Sequence, residues 1–290
     1  MVKKYSELYL DARQKLMETE DAREAGRLAR EVVMFASGKN QGELIAASEL
    51  YAQDEVIEQT DAMIERLAKG EPLAYVLGEW EFYGLKLIVT PDVLIPRDDT
   101  CAVAEVAIRQ ALFFQEAPRI LDLCTGSGCI GIAMASKIKD AKVTLADWSR
   151  DALKVAKQNV KMHKMSARVS CVRVDAMKKP PVFLGKFDMI VSNPPYITTG
   201  EMAELDHSVK DFEPHMALWG GEDGLDFYRA ISGYAPETLK PGGYLCFEFG
   251  MGQGDDVCKI LTDAGFTIRE RVKDFNDRER AVIAQFCKED

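Results

Sequence analysis

Short apolar runs alternate with segments of helical length beyond about residue 98, and this alternation constrains the fold more than any other feature. The runs are Arg119 to Cys124, Ala141 to Asp147, Val169 to Asp175 and Phe187 to Asn193. Short runs of this kind, the first three separated by helix-length segments, are typical of βαβ units. We therefore predict an α/β domain over residues 98–290, with a doubly wound, mostly parallel, Rossmann-like sheet.

Each of the four runs ends in or next to a polar residue. These residues are Asp122, Asp147, Asp175 and Asn193. Open α/β sheets bind ligands at the carboxyl ends of their strands, so one crevice is expected to collect all four side chains.

The N-terminal part has helical periodicity instead. Apolar residues step by three and four in stretches that begin at Tyr5, Ala25 and Val56. Gly70 and Pro72 indicate where the helical part ends. We predict a small helical bundle over residues 1–73 that docks the substrate, with apolar stripes that form its core.

Between these parts, aromatic and β-branched residues from Tyr75 to Val89 surround Gly78 and Gly84. This pattern predicts a β-hairpin. Residues 74–97 are therefore assigned to a connecting hairpin and linker.

Charge and cysteine content restrict the classes of function. The chain has 37 lysines and arginines against 47 aspartates and glutamates, a net charge of −10. Non-specific binding to nucleic-acid phosphates is therefore not expected to supply most of the protein's affinity for a partner. The seven cysteines form no CxxC pair, and the three histidines complete no zinc-ligand spacing, so no metal site is expected. Without an apolar leader or a long apolar stretch, the protein is predicted to be cytoplasmic, with no membrane partner.

A glycine loop follows the first run. Gly126, Gly128 and Gly131, with Asp147 after the next run, match the dinucleotide-binding fingerprint. Glycines allow a sharp turn and close ligand approach whichever nucleotide binds. Asp122 favours a different ligand, because an anion beside the loop repels a pyrophosphate but suits the cationic amino-acid tail of S-adenosylmethionine. On the loop alone, both ligands remain open.

The tetrapeptide Asn193-Pro194-Pro195-Tyr196 follows the fourth run directly. An asparagine side chain offers an acceptor oxygen and a donor NH2 group, and a proline leaves the preceding carbonyl free of any role in a strand ladder. Such a segment can bind a planar amide or an exocyclic amine through hydrogen bonds. It favours S-adenosylmethionine as the ligand of the loop.

With this tetrapeptide the chain resembles the class I methyltransferases. More narrowly, it resembles the HemK/PrmC family of peptide chain release factor N5-glutamine methyltransferases. The resemblance covers nearly the whole chain and includes the segments Leu77–Gly84, Val93–Arg97, Phe212–Pro214, Phe247–Gly250 and Asp274-Phe275 with Arg280.

Two positions depart from the family's usual pattern. Where the family commonly has Arg-Pro-Glu-Thr-Glu, residues 97–101 keep the arginine, one acid and the threonine. Whether Arg97, Asp99 and Thr100 touch the cofactor is left open. Cys124 replaces the common first glycine of the loop, which predicts a φ below zero there and a turn that begins one residue later.

The resemblance implies methyl transfer from S-adenosylmethionine, leaving S-adenosylhomocysteine, to the amide nitrogen of the glutamine in a release factor's Gly-Gly-Gln motif. Asn193 and the Pro194 carbonyl would accept the two amide hydrogens, and Pro195 and Tyr196 would shape the pocket. The catalytic residues implied are Asn193, Pro194 and Tyr196. No general base is required before transfer, since the cationic product loses its proton readily to water.

The resemblance also implies a set of cofactor contacts. The loop would face the methionine portion, Asp147 the ribose hydroxyls, Trp148 the adenine, and Asp175 with Ala176 its other edge. The full set is Thr100, Asp122, Cys124, Thr125, Gly126, Ser127, Gly128, Asp147, Trp148, Asp175, Ala176 and Asn193.

Two other functions remain as alternatives. The tetrapeptide also suits methylation of N6 of adenine or N2 of guanine in nucleic acid, but such enzymes flip the base and usually carry a basic surface or a reading domain. A binding module without activity is the second alternative. Against it, no site residue is visibly replaced by one that would abolish activity. We expect release factors as partners, no direct nucleic-acid substrate, and a monomer.

Overall fold

The computed structural model describes residues 2–287. The helices, in chain order, are α1 (Tyr5–Leu16), α2 (Ala22–Ser37), α3 (Gln41–Ala46), α4 (Asp54–Leu67), α5 (Leu73–Leu77), α6 (Cys101–Ala111), α7 (Cys129–Lys137), α8 (Arg150–Met162), α9 (His207–Lys210), α10 (Asp226–Thr238) and α11 (Gly254–Asp263). The strands are β1 (Glu79–Phe82), β2 (Leu85–Ile88), β3 (Arg119–Leu123), β4 (Lys142–Asp147), β5 (Val169–Arg173), β6 (Phe187–Ser192), β7 (Leu239–Glu248), β8 (Phe266–Lys273) and β9 (Glu279–Phe286).

The chain divides into two compact units. The first contains the chain up to Gly78 together with His207–Phe212, and the second contains Glu79–Asp206 and the chain from Glu213 onward. Among the residues that the structure describes, no helix is both long enough and apolar enough to cross a membrane.

The first unit is helical, and its buried side chains follow the predicted period. In α1 the buried residues are Tyr5, Leu8, Ala12 and Leu16. The carboxylate of Asp21 caps α2 by accepting hydrogen bonds from the backbone of Arg23 and Glu24. The buried residues of α2 and α4 follow the same period, which confirms that the apolar stripes form the helical core.

The predicted end of the helical part was wrong. Residues 74–77, assigned above to the hairpin, belong to α5, which begins directly after Pro72. A proline at the start of a helix loses no hydrogen bond, and its φ of −58° suits the first turn, so it begins this helix instead of stopping one. Gly78 ends α5 in the left-handed conformation.

The hairpin itself is confirmed, over a shorter range. Strands β1 and β2 pair antiparallel, with Phe82 opposite Leu85. The two residues between them, Tyr83 and Gly84, both have positive φ, as in the tight turns that match the twist of paired strands.

The second unit is built around a seven-stranded sheet with the order β5-β4-β3-β6-β7-β9-β8. The five strands from β5 to β7 are parallel, and β9 runs antiparallel to both β7 and β8. The predicted doubly wound, mostly parallel α/β fold is confirmed. The strand order reverses between β3 and β6, and such a switch point opens a crevice at the carboxyl edge of a sheet.

Both faces of this sheet are covered by helices. Buried residues of α6, α7 and α8 form the core on one face, and those of α10 and α11 form it on the other. Strands buried on both faces read as continuous apolar runs, which explains the pattern in the sequence. Gly131 lets α7 approach β4 closely, because a Cβ there would lie 2.2 Å from Cδ2 of Leu145.

Candidate active site

A cavity of about 350 Å³ lies at the carboxyl ends of the parallel strands. This volume falls in the range of small-molecule binding sites, roughly 300–1,000 Å³. The cavity is lined by eleven of the residues singled out from the sequence: Thr100, Cys124, Thr125, Gly126, Ser127, Asp147, Trp148, Asp175, Ala176, Asn193 and Pro195. Four other residues of that set do not line it: Asp122, Gly128, Pro194 and Tyr196.

The loop after β3 turns earlier than predicted. Cys124 has a φ of 56°, so the prediction of a negative φ there was wrong. The physical reason is a bond to the neighbouring strand: the backbone N–H of Thr125 donates to the carbonyl of Ala146 at 3.1 Å. The chain must leave the strand direction at Cys124 to make this contact. The left-handed conformation of a non-glycine residue costs roughly 1–2 kcal/mol and is typical of functional turns.

Asp122 lies behind this loop and is completely buried. Its Oδ2 accepts hydrogen bonds from the Thr125 hydroxyl at 2.6 Å and from the Gly131 backbone N–H at 2.9 Å. Within residues 2–287, its Oδ1 has no hydrogen-bond partner. Burial raises the pKa of Asp122 to about 7, against these two hydrogen bonds, which lower it. The carboxyl group therefore ties the loop to the start of α7.

Asp147 connects the loop to the end of β4. Its Oδ2 accepts a hydrogen bond from the Gly126 backbone N–H at 2.9 Å, and its Oδ1 accepts one from the Ser149 N–H, also at 2.9 Å. Burial raises the pKa of Asp147, while these backbone bonds lower it. The N-cap of α8 is Ser149, whose hydroxyl accepts from the Ala152 N–H. Asp147 lines the cavity and is not the cap.

Trp148 presents an aromatic surface to the cavity. The residue is 48% exposed, so it is not packed between helices. The guanidinium carbon of Arg173 lies 3.9 Å from the centre of its ring, and Nε of Arg173 donates to the Trp148 carbonyl at 3.0 Å. The cation stacks on one face of the indole and leaves the other face available for stacking.

Asp175 and Ala176 form the part of the wall that follows β5. Oδ1 of Asp175 accepts from the Met177 backbone N–H at 3.0 Å, and Oδ2 pairs with Lys178 at 2.9 Å. The Lys178 contact lowers the pKa of Asp175. The carbonyl of Ala176 accepts a hydrogen bond from the buried Tyr234 hydroxyl. Both residues are therefore fixed before any ligand binds.

Asn193 enters the cavity from the end of β6. Its Nδ2 donates to the Thr100 hydroxyl oxygen at 3.3 Å. The chain beyond it is held by pairing with a later segment, since the Ile197 N–H donates to the Leu218 carbonyl and the Gly220 N–H to the Ile197 carbonyl. A Cβ at Gly220 would lie 2.6 Å from the Pro195 carbonyl oxygen. Glycine is therefore required for this close approach.

Arg97 lines the cavity and is paired with Glu213. The Glu213 side chain is almost completely buried and also accepts a hydrogen bond from the Ile95 backbone N–H at 3.2 Å. Glu213 thereby fixes the segment that leads into α6. In the sequence, Glu213 stood out only as part of Phe212–Pro214, one of the segments that carry the family resemblance.

Sequence reasoning missed most of the apolar lining. The added wall residues include Leu94, Pro96, Met177, Met216, Trp219 and Phe227. Several lie in or near the segments that carried the family resemblance, but no polar side chain marked them as ligand contacts. Only the folded loops identify them.

Comparison with known proteins identifies the family. Residues 106–209 match the methyltransferase small domain, and residues 7–78 match the PrmC N-terminal domain. The release factor glutamine methyltransferase of Geobacter sulfurreducens is 43% identical over 220 residues, which are 76% of this chain and 75% of that protein. The protein of the same name from Clostridium acetobutylicum is 39% identical over 241 residues, 83% and 84% of the two chains.

The chain belongs to the release factor glutamine methyltransferase family. Among solved structures, a methyltransferase from Pyrococcus furiosus superposes with a TM-score of 0.50 at 18% identity, covering 71% of this chain and 91% of that one. This likeness supports the fold alone.

Membership of the release factor glutamine methyltransferase family confirms the resemblance inferred from the sequence. It also decides which ligand the glycine loop is expected to bind, because this is a family of enzymes that use S-adenosylmethionine. The dinucleotide alternative and the inactive binding module are therefore set aside. The individual contacts to cofactor and substrate stay predictions.

Proposed function

We propose that this protein methylates the side-chain amide nitrogen, N5, of the glutamine in the Gly-Gly-Gln motif of peptide chain release factors. One observation carries the proposal: Asn193 lines the same cavity as the glycine loop and Asp147. An amide-binding group and a nucleoside-binding group thus share one space. The names of the 43% and 39% identical relatives supply the substrate class.

The cavity suits S-adenosylmethionine in shape and in chemistry. Asp147 supplies a carboxylate for ribose hydroxyls, and Trp148 supplies an aromatic face for adenine. A Cβ at Gly126 would meet no atom of the described residues within 4 Å, so the backbone there is open to a ligand. When bound, the cofactor supplies a methyl group activated by a sulfonium centre. Asp122 acts from behind the loop, which it holds in place.

Asn193 and Pro194 orient the acceptor amide in this proposal. The amide nitrogen of glutamine is a poor nucleophile because its lone pair is delocalised, so orientation supplies most of what a protein can contribute. Oδ1 of Asn193 accepts one amide hydrogen, and we assign the other to the backbone carbonyl of Pro194, which lies in the chain between the lining residues Asn193 and Pro195. These contacts concentrate electron density on nitrogen and stabilise the positive charge that arrives with the methyl group. The proton then leaves to water.

A nucleic-acid substrate is the second candidate, since the tetrapeptide also suits an exocyclic amine. The net charge of −10 argues against it, because binding to a polyanion relies on basic groups. We place the reaction in the cytoplasm, where translation ends, and expect a monomer with the helical unit as the docking domain.

Methyl transfer from radiolabelled cofactor tests the proposal. The protein is incubated with a purified release factor, with the same factor carrying alanine in place of the Gly-Gly-Gln glutamine, and with DNA and RNA. Label in the first sample alone supports the proposal. Label in the alanine form or in nucleic acid, or no label in any sample, would refute it.

A further inference from the structure

A buried carboxylate lies directly behind Asn193 and is not part of the mechanism above. Glu248 is the last residue of β7, and its predecessor Phe247 pairs with Ser192 in the register of β6 and β7. Glu248 is therefore level with Asn193. The residue is 1% exposed and does not line the cavity. It can influence the cavity only through its neighbours.

Two polar groups lie beside the Glu248 side chain, the Thr100 hydroxyl and the Asn193 amide, and both lower the pKa of Glu248. The Thr100 oxygen accepts a hydrogen bond from Nδ2 of Asn193 at 3.3 Å, so the three side chains form a triangle of polar groups. One hydroxyl can make both contacts, since it has one donor and two acceptor sites.

The charge around this triangle comes from a buried arginine and its partners. Arg280 pairs with Asp99 at 3.0 Å and with Asp274 at 3.5 Å. Burial raises the pKa of Glu248 to about 7, while Thr100 and Arg280 lower it. Oε2 of Glu248 has no hydrogen-bond partner among the residues that the structure describes. A buried carboxylate oxygen without a partner is costly, so its presence beside Asn193 calls for a role.

The chemistry of this contact determines which way the Asn193 carboxamide faces. The contact with Asn193 lowers the pKa of Glu248 and so favours the ionised carboxylate, which only accepts hydrogen bonds. The Asn193 atom that faces the ionised carboxylate is therefore the NH2 group. The carboxamide is planar, and with its nitrogen turned toward Glu248 and Thr100 its oxygen points away from them. Without this contact, rotation by 180° would exchange the two atoms at little cost.

We propose that Glu248 is a positioning residue for the glutamine transfer: it holds Asn193 by its NH2 group, so that Oδ1 is the atom presented to the acceptor amide. The inference rests on the proposed function. The rotated carboxamide would set its own donor against the donor NH2 of the glutamine. Thr100 supports the same orientation from the other side.

Two variants of Glu248 separate positioning from packing. Glu248→Met removes the acceptor at similar volume, and we expect turnover to fall on the order of tenfold while S-adenosylmethionine affinity and the KM for release factor change little. Glu248→Gln keeps an acceptor oxygen, and we expect it to recover most of the lost turnover. Equal losses in both variants would overturn the proposal.

A double-mutant cycle tests whether Glu248 acts through Asn193. In the Asn193→Ala background, Glu248→Met should lower turnover little further, because the group to be positioned is already absent. A residue with only a structural role would lower turnover by the same factor in both backgrounds. Asp188→Asn is the control, since Asp188 lies near the start of β6 and binds Arg119 and Lys240. Its effect should be independent of Asn193.

Thermal unfolding tests the contact between Glu248 and Asn193 without an activity measurement. Failure of the inference is therefore distinguishable from failure of the proposed function. Asn193→Asp places a second carboxylate against Glu248, and we expect the Tm to fall. Adding Glu248→Gln supplies an NH2 donor to that carboxylate and should recover most of the loss. Additive losses from the two substitutions would show that the side chains do not interact, which would overturn the proposal even in an active enzyme.

Discussion

Asn193 is the residue on which the proposed chemistry depends most directly. Asn193→Ala removes the acceptor for one amide hydrogen, and we expect turnover to fall on the order of a hundredfold, about 2.7 kcal/mol, through lost alignment. Cofactor affinity should change little, because the cofactor is assigned mainly to the ends of β3 and β4. Single-turnover kinetics and calorimetry measure the two quantities. Near-normal transfer by the alanine variant would make Asn193 structural.

Asp122 is expected to make stability depend on pH. Its folded-state pKa of about 7 lies above its ordinary value of 3.8. Between these two pH values, the folded protein without cofactor therefore holds a proton that the unfolded chain has lost. The contribution of Asp122 to stability is present below the unfolded value and is lost as pH rises through about 7. A rise from 3.8 to about 7 corresponds to roughly 4 kcal/mol.

Asp122→Asn removes this titration and keeps an acceptor oxygen for Thr125 and Gly131. We therefore expect the free energy of unfolding of the variant, relative to the wild type, to increase between pH 5 and pH 8. Urea denaturation at both pH values measures the difference. An unchanged difference would mean that Asp122 ionises at its ordinary pKa in the folded protein.

Cys124 offers a test of backbone conformation with two closely matched variants. At an ordinary position alanine is more stable than glycine, because glycine loses more backbone entropy on folding. At a φ of 56° the order should reverse, and we expect Cys124→Gly to be more stable than Cys124→Ala by about 1 kcal/mol. Denaturant titration of both proteins gives the sign. A more stable alanine variant would contradict the left-handed turn.

At the scale of elements, the segment after β6 is shaped by a later segment packed against it. A Cβ at Gly220 would lie 2.6 Å from the Pro195 carbonyl oxygen and 2.7 Å from Cα of Tyr196, and neither backbone atom can move independently. We expect Gly220→Ala to destabilise the protein by roughly 1–3 kcal/mol and to lower methyl transfer, because the tetrapeptide must shift.

Gly233→Ala is the matched control for this prediction. Gly233 lies in α10, and a Cβ there would meet nothing within 4 Å. Alanine is favoured over glycine inside a helix by about 0.5–1 kcal/mol, so this variant should be slightly more stable than the wild type and fully active. Calorimetry and the transfer assay compare the two variants. Equal stability and equal transfer rates in the two variants would contradict the steric argument.

At the scale of the whole molecule, the cavity and the helical unit are built from different parts of the chain. All the residues that line the cavity belong to the second unit. A truncated protein that begins at residue 79 should therefore bind S-adenosylmethionine with nearly full affinity. If the helical unit docks the substrate, the truncated protein should methylate intact release factor poorly.

A short Gly-Gly-Gln peptide distinguishes docking from chemistry in this truncated protein. The peptide lacks the surfaces outside the loop, so the truncated and full-length proteins should methylate it at similar rates. Circular dichroism checks that the truncated protein is folded, since it keeps His207–Phe212 but lacks the other residues of the unit to which this segment belongs. Equal rates on intact release factor would show that the helical unit has no docking role.

The sequence by itself determined the features that depend on local pattern. The period of apolar residues identified the strands β3 to β6 and the helices α1, α2 and α4 of the first unit, because burial on one or both faces repeats along the chain. Polar residues at the ends of those strands indicated the crevice, since parallel strands deliver their carboxyl ends to one edge. The family resemblance added the reaction.

Only the tertiary structure decided how side chains and turns are placed within that crevice. The φ of Cys124 follows from the bond of the next residue to Ala146 on β4, and the position of Asp122 behind the loop follows from its bonds to Thr125 and Gly131. The contact of Glu248 with Asn193 joins the ends of two paired strands that are far apart in sequence. Such contacts leave no periodic pattern, because they depend on which strands become neighbours and on how close the chain packs there.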